Sequence, residues 1–214
     1  MSEPLKEACG IFAIANHKEA SHLTYLGLYA QQHRGQESAG IVTCENEKVH
    51  THINMGLVAD VFNQDILDNL KGDRAIGHVR YSTTGSSDLQ NAQPIVCEYR
   101  RGWAAVAHNG NIVNTEELRS RLEAKGSIFR TTTDSEIIIH LLARSKETNF
   151  ADALLDSLRQ IRGAFSLVVM DDRHLIGLRD PWGFRPLSIG KLDGSYIFCS
   201  ETCALNIKIG RAHV

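Results

Sequence analysis

Apolar residues first gather at positions 10–15, Gly-Ile-Phe-Ala-Ile-Ala, directly behind a mostly polar stretch at 1–8. A short unbroken apolar run of this kind predicts a buried strand. Positions 20–33 then take helical spacing, with Leu23, Leu26, Ala30 and His33 on one face and Gly35 as the stop. Strands are predicted at 38–44, 48–55, 74–81 and 103–108, with a short helix at 64–70. Asn114-Thr-Glu-Glu117 resembles a capping box and Thr133-Asp-Ser-Glu136 has the sequence of one, which predicts helices over 115–125 and 134–145. A further helix is expected over 149–161, then strands at 164–170, 175–179, 186–189 and 196–199. Short strands joined by tight turns, with helices grouped between strand runs, predict an α+β class built on antiparallel sheet.

Composition narrows the function classes. The 214 residues are 43% hydrophobic and 22% charged with net charge −2, an ordinary soluble balance with enough apolar residues for one sizeable domain. That balance carries no basic footprint for nucleic acid, and no apolar run approaches the length of a membrane span, so neither is an expected partner. The N-terminus lacks the pattern of a secretory signal, and a cytoplasmic protein is the default. Five cysteines (Cys9, Cys44, Cys97, Cys199 and Cys203) are an odd number at irregular spacing, which fits reduced thiols. His50 with His52, and Cys199 with Cys203, lack a full ligand set at structural-zinc spacing, so no metal is expected in this stretch.

Cys9 heads the first strand behind the polar leader. A cysteine that becomes its own N-terminus can use its α-amine as base, because a free α-amine has a pKa of about 7.7–8.0 against about 8.5 for a thiol. Inside a peptide bond that nitrogen has no basicity, so this chemistry requires removal of residues 1–8. The other polar islands each admit a plain structural reading. Arg34 could sit in a helix stop, Arg80 at a strand end, Asn109-Gly110 in a hairpin turn, and Asp134 in the first turn of a helix. Together they read differently. An Asn amide beside a Gly backbone N–H can supply two donors to an oxyanion, Arg80 can grip a carboxylate bidentately, and Asp134 can pair with an ammonium. The implied substrate is a free amino acid with an amide side chain, glutamine.

The ordered motifs Cys9-Gly-Ile-Phe, Gln32-His-Arg-Gly-Gln-Glu-Ser-Ala-Gly-Ile41, Gly77-His-Val-Arg-Tyr-Ser-Thr-Thr-Gly85, Ala107-His-Asn-Gly110 and Thr133-Asp-Ser-Glu136 closely resemble the glutaminase domain of the amidophosphoribosyltransferases. The resemblance continues through Arg179-Asp-Pro-Trp-Gly-Phe-Arg-Pro-Leu187 to Ser200-Glu-Thr-Cys203 and so covers nearly the whole chain. Relatives that make glucosamine 6-phosphate differ at the second and third motifs and start directly with Met-Cys. The resemblance implies a class II glutamine amidotransferase on an N-terminal-nucleophile (Ntn) hydrolase fold, a four-layer αββα sandwich of two antiparallel sheets. It implies Cys9 as nucleophile, Asn109 and Gly110 as oxyanion hole, Arg80 and Asp134 as the grip on glutamine, and Arg34 and Thr83 as further pocket residues.

The same resemblance implies an organisation. Residues 1–8 are expected to be a propeptide and 9–208 a glutaminase domain truncated at its C-terminal end. The phosphoribosyltransferase domain that should follow is absent. In the full-length enzyme the family implies Mg2+, a 4Fe-4S cluster in some leader-bearing members, phosphoribosyl pyrophosphate as ammonia acceptor, and a homo-oligomer. The product would be 5-phosphoribosylamine, at the first committed step of purine synthesis. Residues 209–214 back-translate in one frame to ATCGGAAGAGCACACGTC, the start of a common sequencing adapter, and are expected to be an artefact. The alternatives are another class II amidotransferase with a different acceptor domain, and an inactive glutaminase-like binding module.

Overall fold

The computed structural model describes residues 9–81 and 88–206. In chain order the strands are β1 (Gly10–Ala15), β2 (Ser38–Glu45), β3 (Lys48–Met55), β4 (Arg74–Arg80), β5 (Ile95–Tyr99), β6 (Gly102–Ile112), β7 (Gly163–Met170), β8 (Leu175–Arg179), β9 (Ser188–Leu192) and β10 (Ser195–Cys199). The helices are α1 (Ala20–Ala30), α2 (Val58–Val61), α3 (Gln64–Asn69), α4 (Thr115–Glu123), α5 (Glu136–Arg144) and α6 (Phe150–Leu158). Short 3-10 turns at Gln32–Arg34 and Thr202–Leu205 flank the site described below.

Two antiparallel sheets form, in the orders β3-β2-β4-β1-β10-β9 and β5-β6-β7-β8. Alternation along each strand sorts the core into three layers. On β1, Ile11 and Ala13 face the second sheet with Ala105, Ala107 and Val168, whereas Phe12 and Ile14 face α1. On the other side of the second sheet, Ala104, Val106 and Leu167 pack beneath Ile137, Ile138 and Leu154 of α5 and α6. The result is helices, sheet, sheet, helices. β1 lies in the interior of the six-stranded sheet between β4 and β10, so its N-terminal end, where Cys9 sits, is backed on both sides.

α1 lies on the sheet through small residues. Its buried face is Ala20, Ser21, Thr24, Gly27 and Leu28, and not the Leu23, Leu26, Ala30, His33 face that its apolar spacing predicts. The reason is closeness of approach: a Cβ on Gly27 would lie 2.1 Å from the Phe12 ring. Leu23 and Ala30 flank the contact, half-buried.

Three local expectations fail. Asn109-Gly110 makes no hairpin: β6 runs through both residues, which pair with Ser166 and Phe165 of β7. Neither capping box forms. Asn114 spends its side chain on Gln160 O and Arg162 N, 3.0 and 2.8 Å away, tying α4 to the strand that follows α6. Glu136 accepts from Arg130 N, Thr131 N and Thr131 Oγ1, fastening the incoming loop instead of Thr133. Strand β5 and helix α2 were not expected, and β9 is shifted from the predicted 186–189 to Ser188–Leu192. Residues 180–183 form a turn, with Gly183 N donating to Asp180 O at 3.1 Å and Trp182 N to Asp180 Oδ1 at 2.9 Å.

Candidate active site

Five separate segments of the chain meet at one small cavity. Among the described residues it is lined by Cys9, Arg80, Tyr81, Gln93, His108, Gly110, Thr133, Asp134 and Ser135. Its volume is about 20 Å³, room for about one water. Admitting an amino acid therefore requires the lining side chains to part.

Cys9 is buried, with φ at +63° in the left-handed region that a β-carbon disfavours. Neighbours hold it there. Its N–H donates to Arg34 O at 3.0 Å, Arg34 Nε donates to Cys9 O at 2.7 Å, and its Sγ lies 3.5 Å from Tyr81 O. Burial pushes the Cys9 thiol up, and the cations of Arg80 and Arg34 only partly offset this. A thiol held protonated near neutrality needs a base to become a nucleophile.

Arg80, at the end of β4, is almost fully buried and forms an ion pair through Nη1 with Glu37, the residue just before β2. Glu37 is fixed by its backbone N–H, which donates to Arg80 O at 3.1 Å. Asp134 does not cap α5. Its Oδ2 accepts from Ile112 N at 2.8 Å and its Oδ1 from Ser135 Oγ at 3.3 Å, with His108 Nδ1 at 3.6 Å. Burial alone would raise its carboxyl, but His108 and these donors bring it below the usual carboxylate range, so it stays charged. His108 and Ser135 lie 2.8 Å apart (Nδ1 to Oγ), and Gln93 accepts from His108 N and donates to Ser135 Oγ. These three residues, like Glu37 and Glu201, had no role assigned from sequence. The alternation of β6, which sends His108 to the α5 side, was the available signal.

Of the sequence-predicted residues, Cys9, Arg80, Gly110 and Asp134 border the cavity. Asn109 is fully buried beside Gly110 on β6, and Arg34 stands behind Cys9, gripping its backbone. Thr83 lies outside the described residues, as do the leader at 1–8 and the segment at 209–214. Among the described residues no group of three or more His, Cys, Asp or Glu side chains could hold a metal ion. The described residues thus offer no ligand set for Mg2+ or a 4Fe-4S cluster, and no step is routed through either. Among the described residues no helix is long and apolar enough to cross a membrane.

Compared with known families, residues 78–206 match the glutamine amidotransferase domain. The chain belongs to this family. As a glutamine amidotransferase domain of the class II type, it has the Ntn-hydrolase architecture of two antiparallel sheets between helical layers. It is 51% identical to amidophosphoribosyltransferase 1, chloroplastic, of Arabidopsis thaliana, over 96% of this chain and 37% of that protein. A structure of glutamine phosphoribosylpyrophosphate amidotransferase from B. subtilis, complexed with ADP and GMP, superposes with a TM-score of 0.90 at 42% identity, covering 96% of this chain and 44% of that one. A structure described as the allosteric regulatory enzyme of purine biosynthesis gives 0.92 at 43% identity, over 96% and 44%. The chain thus spans about two fifths of the length of these relatives.

Proposed function

We propose that this domain is the glutamine-hydrolysing half of an amidophosphoribosyltransferase, and that Cys9, freed of residues 1–8, is its nucleophile. The supporting observation is the convergence of Cys9, Arg80, Gly110 and Asp134 on one cavity from β1, β4, β6 and the entry to α5. Arg80 takes the α-carboxylate of glutamine, and Asp134 takes the α-ammonium. The α-amine of Cys9 accepts the thiol proton, and sulfur attacks the side-chain carbonyl carbon. Asn109 and Gly110 N–H groups meet the oxyanion. The C–N bond breaks as the ammonium returns its proton to the leaving nitrogen, releasing ammonia and a γ-glutamyl thioester. Water then cleaves the thioester to glutamate. Thr83 belongs to the same reading as a glutamine-binding residue, and Arg34 holds the Cys9 backbone.

In the longer protein the ammonia is passed to phosphoribosyl pyrophosphate, giving 5-phosphoribosylamine for purine synthesis, and Mg2+, any 4Fe-4S cluster and homo-oligomer contacts belong to that protein. The names of the relatives support this, and five free cysteines suit a reducing compartment such as the cytoplasm. The leader boundary at residue 8 forms part of the same reading. The test is a glutamine analogue with a diazo-ketone at the reacting carbon. A chain beginning at Cys9 should be labelled at Cys9 and at none of the other four cysteines, whereas a chain retaining residues 1–8 should not. Label on Cys44 or Cys97 would overturn the assignment.

A further inference from the structure

The stretch Ser200-Glu-Thr-Cys203 has no part in the reading above, yet it reaches the nucleophile. Ser200 is clamped to β1: its N–H donates to Ile11 O and its Oγ accepts from Ile11 N, both at 3.0 Å. The next residue, Glu201, sends Oε1 to within 2.5 Å of Arg34 Nη1. The Arg34 side chain is 1% exposed, so its cation needs an anionic partner to be tolerated. From the same guanidinium, Nε grips the Cys9 carbonyl at 2.7 Å. Glu201 Oε2 also lies 3.0 Å from His33 Nε2 and accepts from Cys203 Sγ at 3.5 Å. Burial would raise the Glu201 carboxyl, but Arg34 and His33 bring it below the usual range, so it is charged.

We propose that Glu201 is a positioning residue for the nucleophile, acting through Arg34 on the backbone and the electrostatics of Cys9. This rests on the reading of Cys9 as nucleophile. The geometric part follows from the fork of the guanidinium: fixed at Nη1 by Glu201, it presents Nε to Cys9 O and keeps a residue at φ +63° in place. The electrostatic part follows from charge. Cys9 is surrounded by Arg34 from the 3-10 turn, by Arg80 from β4 with Glu37 beyond it, and by Asp134 ahead of α5 with His108 beyond it. Glu201 neutralises Arg34, as Glu37 neutralises Arg80. Without the Glu201 charge, the thiol and a freed α-amine would face a guanidinium that has lost this counter-charge and would lose their protons at lower pH.

The experiment alkylates Cys9 in the full 214-residue chain with iodoacetamide across a pH series, reading each cysteine by peptide mass spectrometry. Glu201→Gln should move the Cys9 midpoint down by about 0.5–1 pH unit, and Glu201→Asp should restore most of it. The double variant Arg34→Gln/Glu201→Gln removes the cation together with this counter-charge, which guards against misfolding, and its midpoint should equal that of Arg34→Gln alone. A parental midpoint in Glu201→Gln would overturn the proposal, and so would a Glu201 effect that persists in the Arg34→Gln background. In a chain beginning at Cys9, Glu201→Gln should also lower kcat for glutamine by about tenfold or more with KM within about twofold. Alkylation shifts without any glutaminase activity in the parent would sink the proposed function and leave this coupling standing.

Discussion

At the scale of single residues, the proposed glutamine site sets a buried cation, Arg80, against a buried anion, Asp134. Arg80 contributes a planar guanidinium fixed at Nη1 by Glu37, the group proposed to grip the carboxylate. Arg80→Lys keeps the charge but loses the two-donor geometry. Asp134→Asn keeps an acceptor for Ile112 N and removes the charge that opposes an ammonium. Each should lower kcat/KM for glutamine by an amount on the order of 2–4 kcal/mol, with circular dichroism unchanged. Because His108, Ile112 N and Ser135 hold the buried Asp134 carboxyl below its ordinary range, Asp134→Asn should also lower the melting temperature at neutral pH. Parental glutaminase kinetics in either variant would show that the substrate binds elsewhere.

Among the elements, β6 carries a tight local constraint beside the cavity. Gly110 has φ +153°, and a Cβ there would lie 2.2 Å from Ala164 O and 2.7 Å from Phe165 Cα on β7. Only a residue without a side chain lets β7 come this close beside the cavity. Gly110→Ala should therefore destabilise the domain by at least about 2 kcal/mol in urea unfolding, combining backbone strain with a clash against neighbouring main chain. A parental midpoint would mean that the β6–β7 ladder yields at this point without cost.

Across the whole molecule, His78 joins the two sheets: it stands on β4 and its Nε2 lies 3.0 Å from His108 O on β6. Burial pushes its pKa down from 6.5 to about 3, so the folded protein holds it neutral. Above 6.5 neither state is protonated there and the group costs nothing. As pH falls from 6.5 toward 3, the unfolded chain takes up a proton that the folded chain refuses, and stability declines. Glu136, held at about 2 against an ordinary 4.5, adds its own loss only below 4.5. Between pH 6.5 and 4.5 the decline should therefore trace to His78, and His78→Gln should flatten that part of the urea-unfolding profile. An unaltered slope would show that the charged imidazole is accommodated between the sheets.

The order of strands and helices was written in the periodicity of the chain, because burying one face of a strand or helix leaves a repeat that survives in sequence. The residue types of the site were legible for a related reason: a thiol, a guanidinium and a carboxylate do chemistry that few other side chains can replace. Pairing was not legible. Arg34 meets Glu201 across 167 positions, and Arg80 meets Glu37 across 43, because β1, β2, β4 and β10 share one sheet in an order that no local pattern records. The same limit explains the unformed capping boxes and the hairpin signal that became mid-strand. A carboxylate or a glycine has several good local uses, and the packing of one layer on the next chooses among them by deciding which backbone donors are left without a partner.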